Sequence, residues 1–478
     1  MSCFHKILSV GLAGLLAPML AFALPGDADR SYGTNGTTIV NFTPLLGADH
    51  FHIDVRTTLD NQGRLWAFSH TLHTLSPAQS EVGVGMTRLT RQGHLDTSFG
   101  TNGLAFLPLN HFSMLIGVQN FNNQTYVGFA LNGIDQDPTV TWQVCRINAN
   151  GALDTTWFDT GCGTLTLDNY RQQSDLRVDP VSGNVWIVGN GLDSNTGLTH
   201  VLLGIFNNTT HQTQVQRYYS AGQSISANQA VPDGSGGLYF SGVLATPANT
   251  TRIVMGHLVS QLGGTFSMSL GTPVEFTINS NEAYVSPLCI ARTEQGKLQV
   301  GVQLWDPSGT QWGTLQYLAN GTPDTSYGDN ATTQDVVADL SHNGNSGYFA
   351  IGGCARGADG PLNMVGSYTF SSIDMMSTET VPTVHRMLPG GFPDQVFGGD
   401  ATVPGTTFQI AYTGTAMNNF RVFTPPQPRK DLGLSIQVQS NGMLLVSGLS
   451  LRGNGENHDD LAVMRLQTED PIFADGLE

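Results

Sequence analysis

The chain has 478 residues, of which 40% are hydrophobic and only 12% are charged, and 37 acidic against 20 basic side chains give a net charge of −17. This balance excludes a nucleic-acid partner, because phosphate contacts need clustered Lys and Arg side chains. The 57 glycines and 22 prolines favour many short strands and turns over helices.

Residues 1–23 have the pattern of a secretory signal peptide. Lys6 precedes the apolar stretch ILSVGLAGLLAPMLAFA, and Ala21 and Ala23 supply the small side chains that a signal peptidase needs. A membrane anchor is the alternative, but Gly and Pro interrupt this stretch and it is short for a full span. We therefore predict a secreted or periplasmic/cell-surface protein with no membrane span after removal of the signal.

A turn of the form Gly-x-x-Asp-x-x-aromatic, called here the marker turn, recurs along the chain. Its five clear copies are Gly26/Asp29/Tyr32, Gly93/Asp96/Phe99, Gly151/Asp154/Trp157, Gly321/Asp324/Tyr327 and Gly391/Asp394/Phe397. The long gap between the third and fourth copies leaves room for two degenerate copies, near residues 208 and 264. A repeating turn indicates a repeating supersecondary unit.

Two series of short apolar segments keep the same period as the marker turn. We interpret one series as second strands, at 64–69, 124–130, 184–189, 237–242, 297–302, 347–352 and 443–448. The other precedes the marker turns and is interpreted as third strands, at 85–89, 142–147, 200–206, 252–258, 312–318, 383–388 and 459–466. Each unit therefore has four strands, which in the first unit are predicted at 51–59, 64–70, 83–90 and 103–109.

The two ends of the repeat complement each other. The chain begins with a fourth-type strand near 33–42 and ends on a third-type strand at 459–466. We therefore predict an all-β, seven-bladed β-propeller of four-stranded antiparallel blades, closed by the N- and C-terminal strands in one blade. Residues 24–466 form this single domain, and 467–478 form a C-terminal tail.

Four cysteines follow the signal segment, and an oxidising compartment permits two disulfides. Cys145 lies on a third strand and Cys162 just past the following turn, so we predict that these hairpin neighbours pair. Cys289–Cys354 then follows by elimination as a bond between adjacent blades. Four buried free thiols are the alternative.

We assign the repeated aspartates Asp29, Asp96, Asp154, Asp324 and Asp394 a structural role. An Asp in a tight turn accepts hydrogen bonds from backbone N–H groups one to three residues on. A residue used five times around a ring is a poor candidate for a catalytic group. No catalytic or cofactor-binding residue is predicted, since nucleophile-elbow, P-loop and zinc-protease motifs are missing from the sequence.

Weak candidates remain for a metal ion. Glu456, Asp459 and Asp460 could bind Ca²⁺ through carboxylates, although the spacing of a calcium loop is missing. His50 and His52 lie two apart and share one face of a strand, with His70 and His73 in the same unit. Scattered polar histidines near a strand end are the alternative, and no cofactor is predicted.

The marker turn and the Arg-Leu strand before it resemble the bacterial delta-60 repeat. Arg88-Leu89, Gly93, Leu95-Asp96, Ser98-Phe99-Gly100 and Gly103 match that pattern. The resemblance implies a secreted or surface protein of a bacterium, and it carries no settled activity. The ending DPIFADGLE also looks like a short tail found on some secreted bacterial proteins, with Leu477 departing from it.

The sequence favours a non-enzymatic binding or scaffold module over an enzyme. The second-to-third and fourth-to-first connections share one face of the disc, and they are predicted to be long at 70–83, 189–200, 352–382, 398–430 and 448–459. Binding concentrates on such loops, so a glycan, protein or envelope component is expected on this face of a monomer. The alternative is a polysaccharide lyase or glycoside hydrolase, which would need non-repeated acidic, basic or His side chains converging at the axis.

Overall fold

The structure is a computed structural model that describes residues 25–76, 79–109, 113–131, 139–168, 170–245, 251–261, 265–274, 284–306, 309–328, 332–335, 348–357, 360–371, 378–394, 397, 415–417, 431–451 and 459–468. Their regular secondary structure is almost entirely β-strand, and the helix α1 (Thr43–Leu46) is a single turn. The predicted all-β class is therefore confirmed.

The described strands are numbered β1 to β28 in chain order, and the short strand β1 comes first. The first thirteen are β1 (Thr37–Val40), β2 (His50–Leu59), β3 (Leu65–Ser76), β4 (Gln79–Leu89), β5 (Leu104–Leu109), β6 (Ser113–Phe121), β7 (Gln124–Leu131), β8 (Thr139–Ile147), β9 (Cys162–Asp168), β10 (Tyr170–Val178), β11 (Val185–Leu192), β12 (Thr199–Phe206) and β13 (Thr213–Tyr218). The others are β14 (Ser224–Pro232), β15 (Leu238–Ala245), β16 (Thr251–Ser260), β17 (Phe266–Leu270), β18 (Tyr284–Arg292), β19 (Leu298–Asp306), β20 (Gly309–Tyr317), β21 (Thr332–Asp335), β22 (Tyr348–Arg356), β23 (Leu362–Ser371), β24 (Thr378–Met387), β25 (Thr415–Met417), β26 (Asp431–Val438), β27 (Leu444–Leu451) and β28 (Asp459–Leu466).

These strands form seven four-stranded antiparallel sheets, which are the blades of a β-propeller. Blades 1 to 6 are β2–β5, β6–β9, β10–β13, β14–β17, β18–β21 and β22–β25, each with its strands paired in chain order. Blade 7 has the order β1-β28-β27-β26, so its outermost strand comes from the start of the chain. Both the seven blades and the mode of closure match the sequence prediction.

Closure joins residues that are more than 400 positions apart. Strand β1 pairs with β28 from Thr37↔Met464 to Val40↔Leu461. Before β1, the N–H of Asp29 donates to the carbonyl of Arg465 at 2.8 Å. A propeller closed in this way leaves no blade with an uncovered face, and it fixes a terminal segment that would otherwise fray.

The first strand of every blade lies innermost and borders the axis. Each of these strands contacts the first strand of the next blade, and β26 contacts β2 to complete the ring. Each also carries a β-bulge at an equivalent place, with the unpaired residues Ile53, Ile116, Ser174, Asn228, Leu288, Gly352 and Leu434. A bulge redirects the side chains that follow it, so these positions decide what faces the channel.

The hydrophobic core lies between adjacent blades. Trp142 and Val144 of blade 2 pack in one cluster with Leu176, Ile187 and Leu202 of blade 3. The largest fully buried side chains are Trp66, Trp142, Trp157 and Trp186. Each sheet buries both faces only because its neighbours cover them, which explains why the blades must form a closed ring.

Blade 6 corrects one part of the strand prediction. The segment 347–352 was predicted as a second strand, but β22 is the first strand of its blade and pairs with β23. Strand β23 lies inside 352–382, which the sequence analysis interprets as a loop. First and second strands here are both short, apolar and rich in glycine, so composition alone does not separate them.

The predicted loop 70–83 is also wrong. Strands β3 and β4 continue through most of it as a hairpin extension, paired from Thr71↔Gly83 to Ser76↔Gln79. The predicted loop 189–200 shortens to residues 193–198 between β11 and β12. Most of 398–430 lies outside the described residues. Within the described residues, the connections at 70–83 and 189–200 are therefore shorter than the sequence indicates.

Candidate functional site

The Asp side chain of the marker turn is bound first by its own turn. Oδ1 of Asp96 accepts hydrogen bonds from the N–H of Ser98 at 3.1 Å and from its hydroxyl at 2.6 Å. The same two bonds recur from Ser31 to Asp29, from Thr156 to Asp154 and from Ser326 to Asp324. The repeated Asp thus fixes the conformation of the turn.

The second carboxylate oxygen binds a cation. Nε of Arg88, on the third strand of blade 1, lies 2.7 Å from Oδ2 of Asp96. Equivalent ion pairs are Arg146–Asp154, Arg386–Asp394 and, in the closing blade, Arg465–Asp29. In blade 5 the third strand carries Gln316 instead, and Lys297 supplies the charge at 2.7 Å from Asp324.

These contacts keep the carboxyl groups ionised. Burial by itself would raise the pKa of Asp29, Asp96, Asp154 and Asp324, but hydrogen bonds from the turn and the neighbouring cation outweigh it, so each pKa lies below its ordinary value. A carboxylate fixed in this way is unsuited to proton exchange with a substrate.

The marker turn also touches the next blade. The ring of Tyr32 is fully buried against Gly93, where a Cβ atom would lie 2.6 Å from the ring. Phe99 meets Gly151 in the same manner, with a Cβ atom 3.0 Å away. Both glycines have positive φ, +82° and +85°, which glycine adopts without strain. The first glycine of one turn therefore receives the aromatic ring of the preceding turn.

Backbone hydrogen bonds complete this contact, which we call the latch. The N–H of Gly33 donates to the carbonyl of Gln92 at 2.7 Å, and the N–H of Gly100 donates to that of Asn150 at 2.9 Å. The bond from Gly328 to Gly390 is the equivalent between blades 5 and 6. The turns that contain Asp29, Asp96 and Asp324 therefore each contribute a contact between blades, which agrees with a structural role for these residues.

Both disulfides are present with the predicted partners. Cys145 and Cys162 lie opposite each other on β8 and β9 of blade 2, with their Cα atoms 4.1 Å apart. Cys289 and Cys354 join the first strands of blades 5 and 6, with Cα atoms 5.7 Å apart. The first bond staples a hairpin, and the second links two blades beside the channel.

The candidate metal residues do not come together as a metal site in the described part of the chain. There, no group of three or more His, Cys, Asp or Glu side chains is arranged to hold a metal ion. Asp459 and Asp460 begin β28, and Asp460 is buried. Glu456 lies outside the described residues, so calcium binding stays a prediction.

The histidines of blade 1 are close but buried. The rings of His50 and His52 lie 5.4 Å apart, as their shared strand face predicts. Nδ1 of His52 is 2.9 Å from the hydroxyl of Thr71, and Nδ1 of His50 is 2.8 Å from the carbonyl of Gly47. These contacts tie the two rings to the interior of the blade.

We expect the protein to lose stability as the pH falls from about 6.5 towards 4. Burial lowers the pKa of His52 to about 3, helped by the charges of His50 and His70, and burial lowers the pKa of His70 and of His385 to about 4. Over this range the unfolded chain binds more protons than the folded one, so the free energy of unfolding falls with pH.

Melting temperatures measured at a series of pH values check this expectation. The variant His52→Gln should show a smaller loss between neutral and mildly acidic pH than the unmodified protein. His94 is exposed, and His94→Gln is the matched control that should leave the pH profile unchanged. Identical profiles for all three proteins would contradict the assignment of this loss to His52.

A cavity of about 390 Å³ occupies the central channel. It extends from the bulges of the first strands to the C-terminal ends of β2, β6 and β26. Its polar wall contains Arg56, Gln119, Asp175, Arg177, Gln229 and Gln437. The first-to-second turns follow these strand ends, so the cavity lies towards the tight-turn face rather than the long-loop face. It is the candidate functional site.

Two equivalent Asp–Arg pairs lie on inner strands at this channel, and Arg56, Asp175 and Arg177 line the cavity. Nη1 of Arg56 lies 3.0 Å from Oδ1 of Asp54 in blade 1, and Nη2 of Arg177 lies 2.8 Å from Oδ2 of Asp175 in blade 3. In both strands the Asp is the first residue after the bulge and the Arg is the third. The bulge therefore presents the same pair at the same depth in two blades.

Backbone N–H groups hold these carboxylates in place. Asp54 accepts from Val55 at 2.8 Å, and Asp175 accepts from Leu176 and Ala230, both at 2.9 Å. Burial nevertheless raises the pKa of both groups, against the opposing effects of these bonds and of the paired arginines. This holds for Asp54 although 26% of its side-chain surface is exposed.

These channel residues are not part of the repeat pattern and were not predicted from it. A usable signal exists, since IDVRT at 53–57 and SDLRV at 174–178 carry the same Asp-x-Arg ahead of a first-to-second turn. The pattern occurs in only two units, so a search for features shared by all units passes over it.

None of the helices in the described part of the chain has the length and hydropathy to span a bilayer. No protein-family model and no curated protein matches the chain, so the delta-60 resemblance stays a prediction.

Similar solved structures exist at low identity. They include the β-propeller domain of the Trilobed protease from Pyrococcus furiosus, with 8% identity, a TM-score of 0.42 and coverage of 89% of this chain and 98% of that chain. A protein of unknown function from Dyadobacter fermentans DSM 18053 has 10% identity, a TM-score of 0.39 and coverage of 91% and 100%. Polysaccharide lyase Uly1 has 11% identity, a TM-score of 0.37 and coverage of 78% and 92%.

Proposed function

We propose that the protein is a secreted, non-enzymatic binding module whose ligand enters the central channel. The observation that carries this proposal is the one-sided lining of the cavity. Adjacent blades 7, 1, 2 and 3 contribute Gln437, Arg56, Gln119 and Arg177, each three residues after its bulge. The equivalent residues of blades 4, 5 and 6 are Val231, Ala291 and Ala355. Stacking of blades does not require the polar set, because the other blades stack without it.

The environment of the channel carboxyls favours binding over catalysis. A glycosidase needs two carboxyl groups that act as acid, base or nucleophile on the substrate. Asp54 accepts one backbone N–H and Asp175 accepts two, and each is paired with an arginine. Their contacts instead suit a role in orienting Arg56 and Arg177 towards the channel.

Secretion is part of the proposal. The signal pattern of residues 1–23 supports it, and the two disulfides are compatible with an oxidising compartment. A glycan, protein or envelope component remains the proposed partner of a monomer. Binding through the long-loop face stays a prediction, since residues 401–414 and 418–430 lie outside the described residues.

Obstruction of the channel tests the proposal. Gly353 lines the cavity, and a Cβ atom there would meet its nearest neighbour, the carbonyl oxygen of Leu434, at 4.0 Å. Gly353→Phe should therefore fill the channel without strain and abolish binding of ligands found on a glycan array. The exposed Gly390→Phe is the matched control. Unchanged binding by a folded Gly353→Phe variant would refute a channel site.

A polysaccharide-degrading enzyme is the second candidate. Asp175 lines the cavity, Asp54 holds the equivalent position in blade 1, and burial raises the pKa of both, which is common among catalytic carboxyls. Incubation with uronic-acid polysaccharides, followed by assays for new reducing ends and unsaturated products, separates the two functions. Turnover that is lost in Asp175→Asn would establish the enzyme.

A further inference from the structure

We propose that the channel recognises an anionic group, a carboxylate or a sulfate, through Arg56, Gln119 and Arg177, which we call the donor arc. The inference rests on the proposed binding function and names its ligand class. The three side chains come from adjacent blades and occupy the same position after the bulge, so they form one layer of the channel wall.

The donor arc has hydrogen-bond donors to spare. Nη1 of Arg56 donates to Asp54 and, at 3.3 Å, to the carbonyl of Val55, whereas its Nε and Nη2 have no partner among the described residues. Arg177 uses Nε towards the carbonyl of Ala230 at 2.6 Å and Nη2 towards Asp175. Its Nη1 has no hydrogen-bond partner among the described residues.

Gln119 lies between the two arginines in blade order and is fixed in one orientation. Its Oε1 accepts the N–H of Val178 at 2.8 Å, so its amide nitrogen is the end left for a ligand. Gln437 in blade 7 differs, because its amide nitrogen donates to the carbonyl of Thr57. The donor arc therefore ends at blade 1 on that side.

The guanidinium groups are placed for a ligand rather than for the outer solvent. Their side chains are 32% and 27% exposed, and both line the cavity. Burial raises the pKa of Asp175, and the charge of Arg56 two blades away is one of the smaller effects that oppose this rise, so the two pairs lie within electrostatic reach of each other.

The chemistry of these donors selects the ligand class. Guanidinium groups bind carboxylate and sulfate-like oxyanions through paired N–H donors, and Arg is preferred over Lys where such geometry matters. Each arginine is paired with one carboxylate, Asp54 or Asp175, so anion recognition would depend on the N–H donors outside these ion pairs rather than on a net positive charge. A cavity of about 390 Å³ has room for an anionic sugar unit but not for a folded partner.

Calorimetric titration with glucuronate, glucose 6-sulfate and glucose tests the proposal on the mature chain. We expect binding of at least one of the two anions to be roughly tenfold or more tighter than binding of glucose, since one charge-assisted hydrogen bond accounts for that factor. Whether glucuronate or glucose 6-sulfate binds better distinguishes a carboxylate from a sulfate ligand. Equal affinity for all three, or binding of neither anion, would overturn the proposal.

Gln119→Glu is the sharpest variant. Its carboxylate can still accept the N–H of Val178, so the wall is preserved, but the donor becomes a negative charge facing the ligand. Anion affinity should fall by roughly tenfold or more. The exposed Gln62→Glu adds the same charge outside the channel and should bind as the unmodified protein does. A folded Gln119→Glu variant with unchanged affinity would also overturn the proposal.

Arg177→Met gives an independent check, with the exposed Arg30→Met as its control. Loss of anion binding in Arg177→Met alone supports the donor arc. If neutral glycans bind and Gly353→Phe blocks them while no anion is preferred, the channel module survives and the anion proposal fails. If Gly353→Phe leaves all binding intact, the channel module itself fails.

Discussion

Replacing Asp29 with alanine is expected to lower the free energy of unfolding by about 3–5 kcal/mol. Nε and Nη2 of Arg465 lie 2.7 Å and 2.6 Å from Oδ2 of Asp29, and the Arg465 side chain is only 11% exposed. The substitution leaves a buried guanidinium without its carboxylate, which costs more than the net energy of an exposed ion pair.

The same substitution in blade 1 is the matched control for closure. Asp96→Ala removes an equivalent ion pair with Arg88, but the marker turn itself still tethers β5 to β4. In Asp29→Ala the strand β1 is held to β28 only by non-covalent contacts, since the two lie at opposite ends of the described chain. Both variants should have a lower melting temperature. In Asp29→Ala, strand β1 should also separate from β28 more often.

Hydrogen exchange distinguishes a general loss of stability from local opening of β1. Amide protons of residues 37–40 should exchange faster in Asp29→Ala than in Asp96→Ala at equal global stability. Chemical denaturation supplies the stabilities. Unchanged protection of β1 in Asp29→Ala would show that the ion pair is not needed for closure. The hydrogen bonds between β1 and β28 would then be sufficient to hold the ring closed.

Removal of the disulfide Cys289–Cys354 is expected to cost about 4 kcal/mol, against about 3 kcal/mol for Cys145–Cys162. The bonds close loops with sequence separations of 65 and 17 residues. A longer closed loop removes more conformational entropy from the unfolded chain, so its loss favours unfolding more.

The contacts in the folded state also predict a larger loss of stability for Cys289–Cys354. Cys145 and Cys162 are already opposite each other on paired strands, so their hairpin persists without the bond. Cys289 and Cys354 connect different sheets.

Denaturant unfolding of the two double Cys→Ala variants checks the order of the two losses. A larger loss for the pair in blade 2 would contradict the loop-entropy argument.

The repeat made the architecture predictable. The marker turn and the third-strand segments recur at a nearly constant spacing, and each is a local pattern within a short stretch of chain. Even the two degenerate copies, near 208 and 264, fall between β12 and β13 and between β16 and β17. Closure was predictable because an unpaired fourth strand at one end matches an unpaired third strand at the other.

Blade 6 shows the limit of such counting. Strands β22 and β23 both carry short apolar runs with glycine, and only their pairing reveals which borders the axis. The replacement of Arg by Gln316 in blade 5 is a similar case. Lys297 supplies the cation from the start of β19, and nothing local to the marker turn indicates it.

The sequence by itself determined the number of blades, the way the ring closes and the pairing of Cys145 with Cys162, because these follow from patterns repeated or adjacent along the chain. Only the tertiary structure decided that Arg56, Gln119 and Arg177 share one layer of the channel, and that Tyr32 packs on Gly93. The physical reason is that residues separated by a whole blade meet only through the radial stacking of sheets and the bulge in each inner strand.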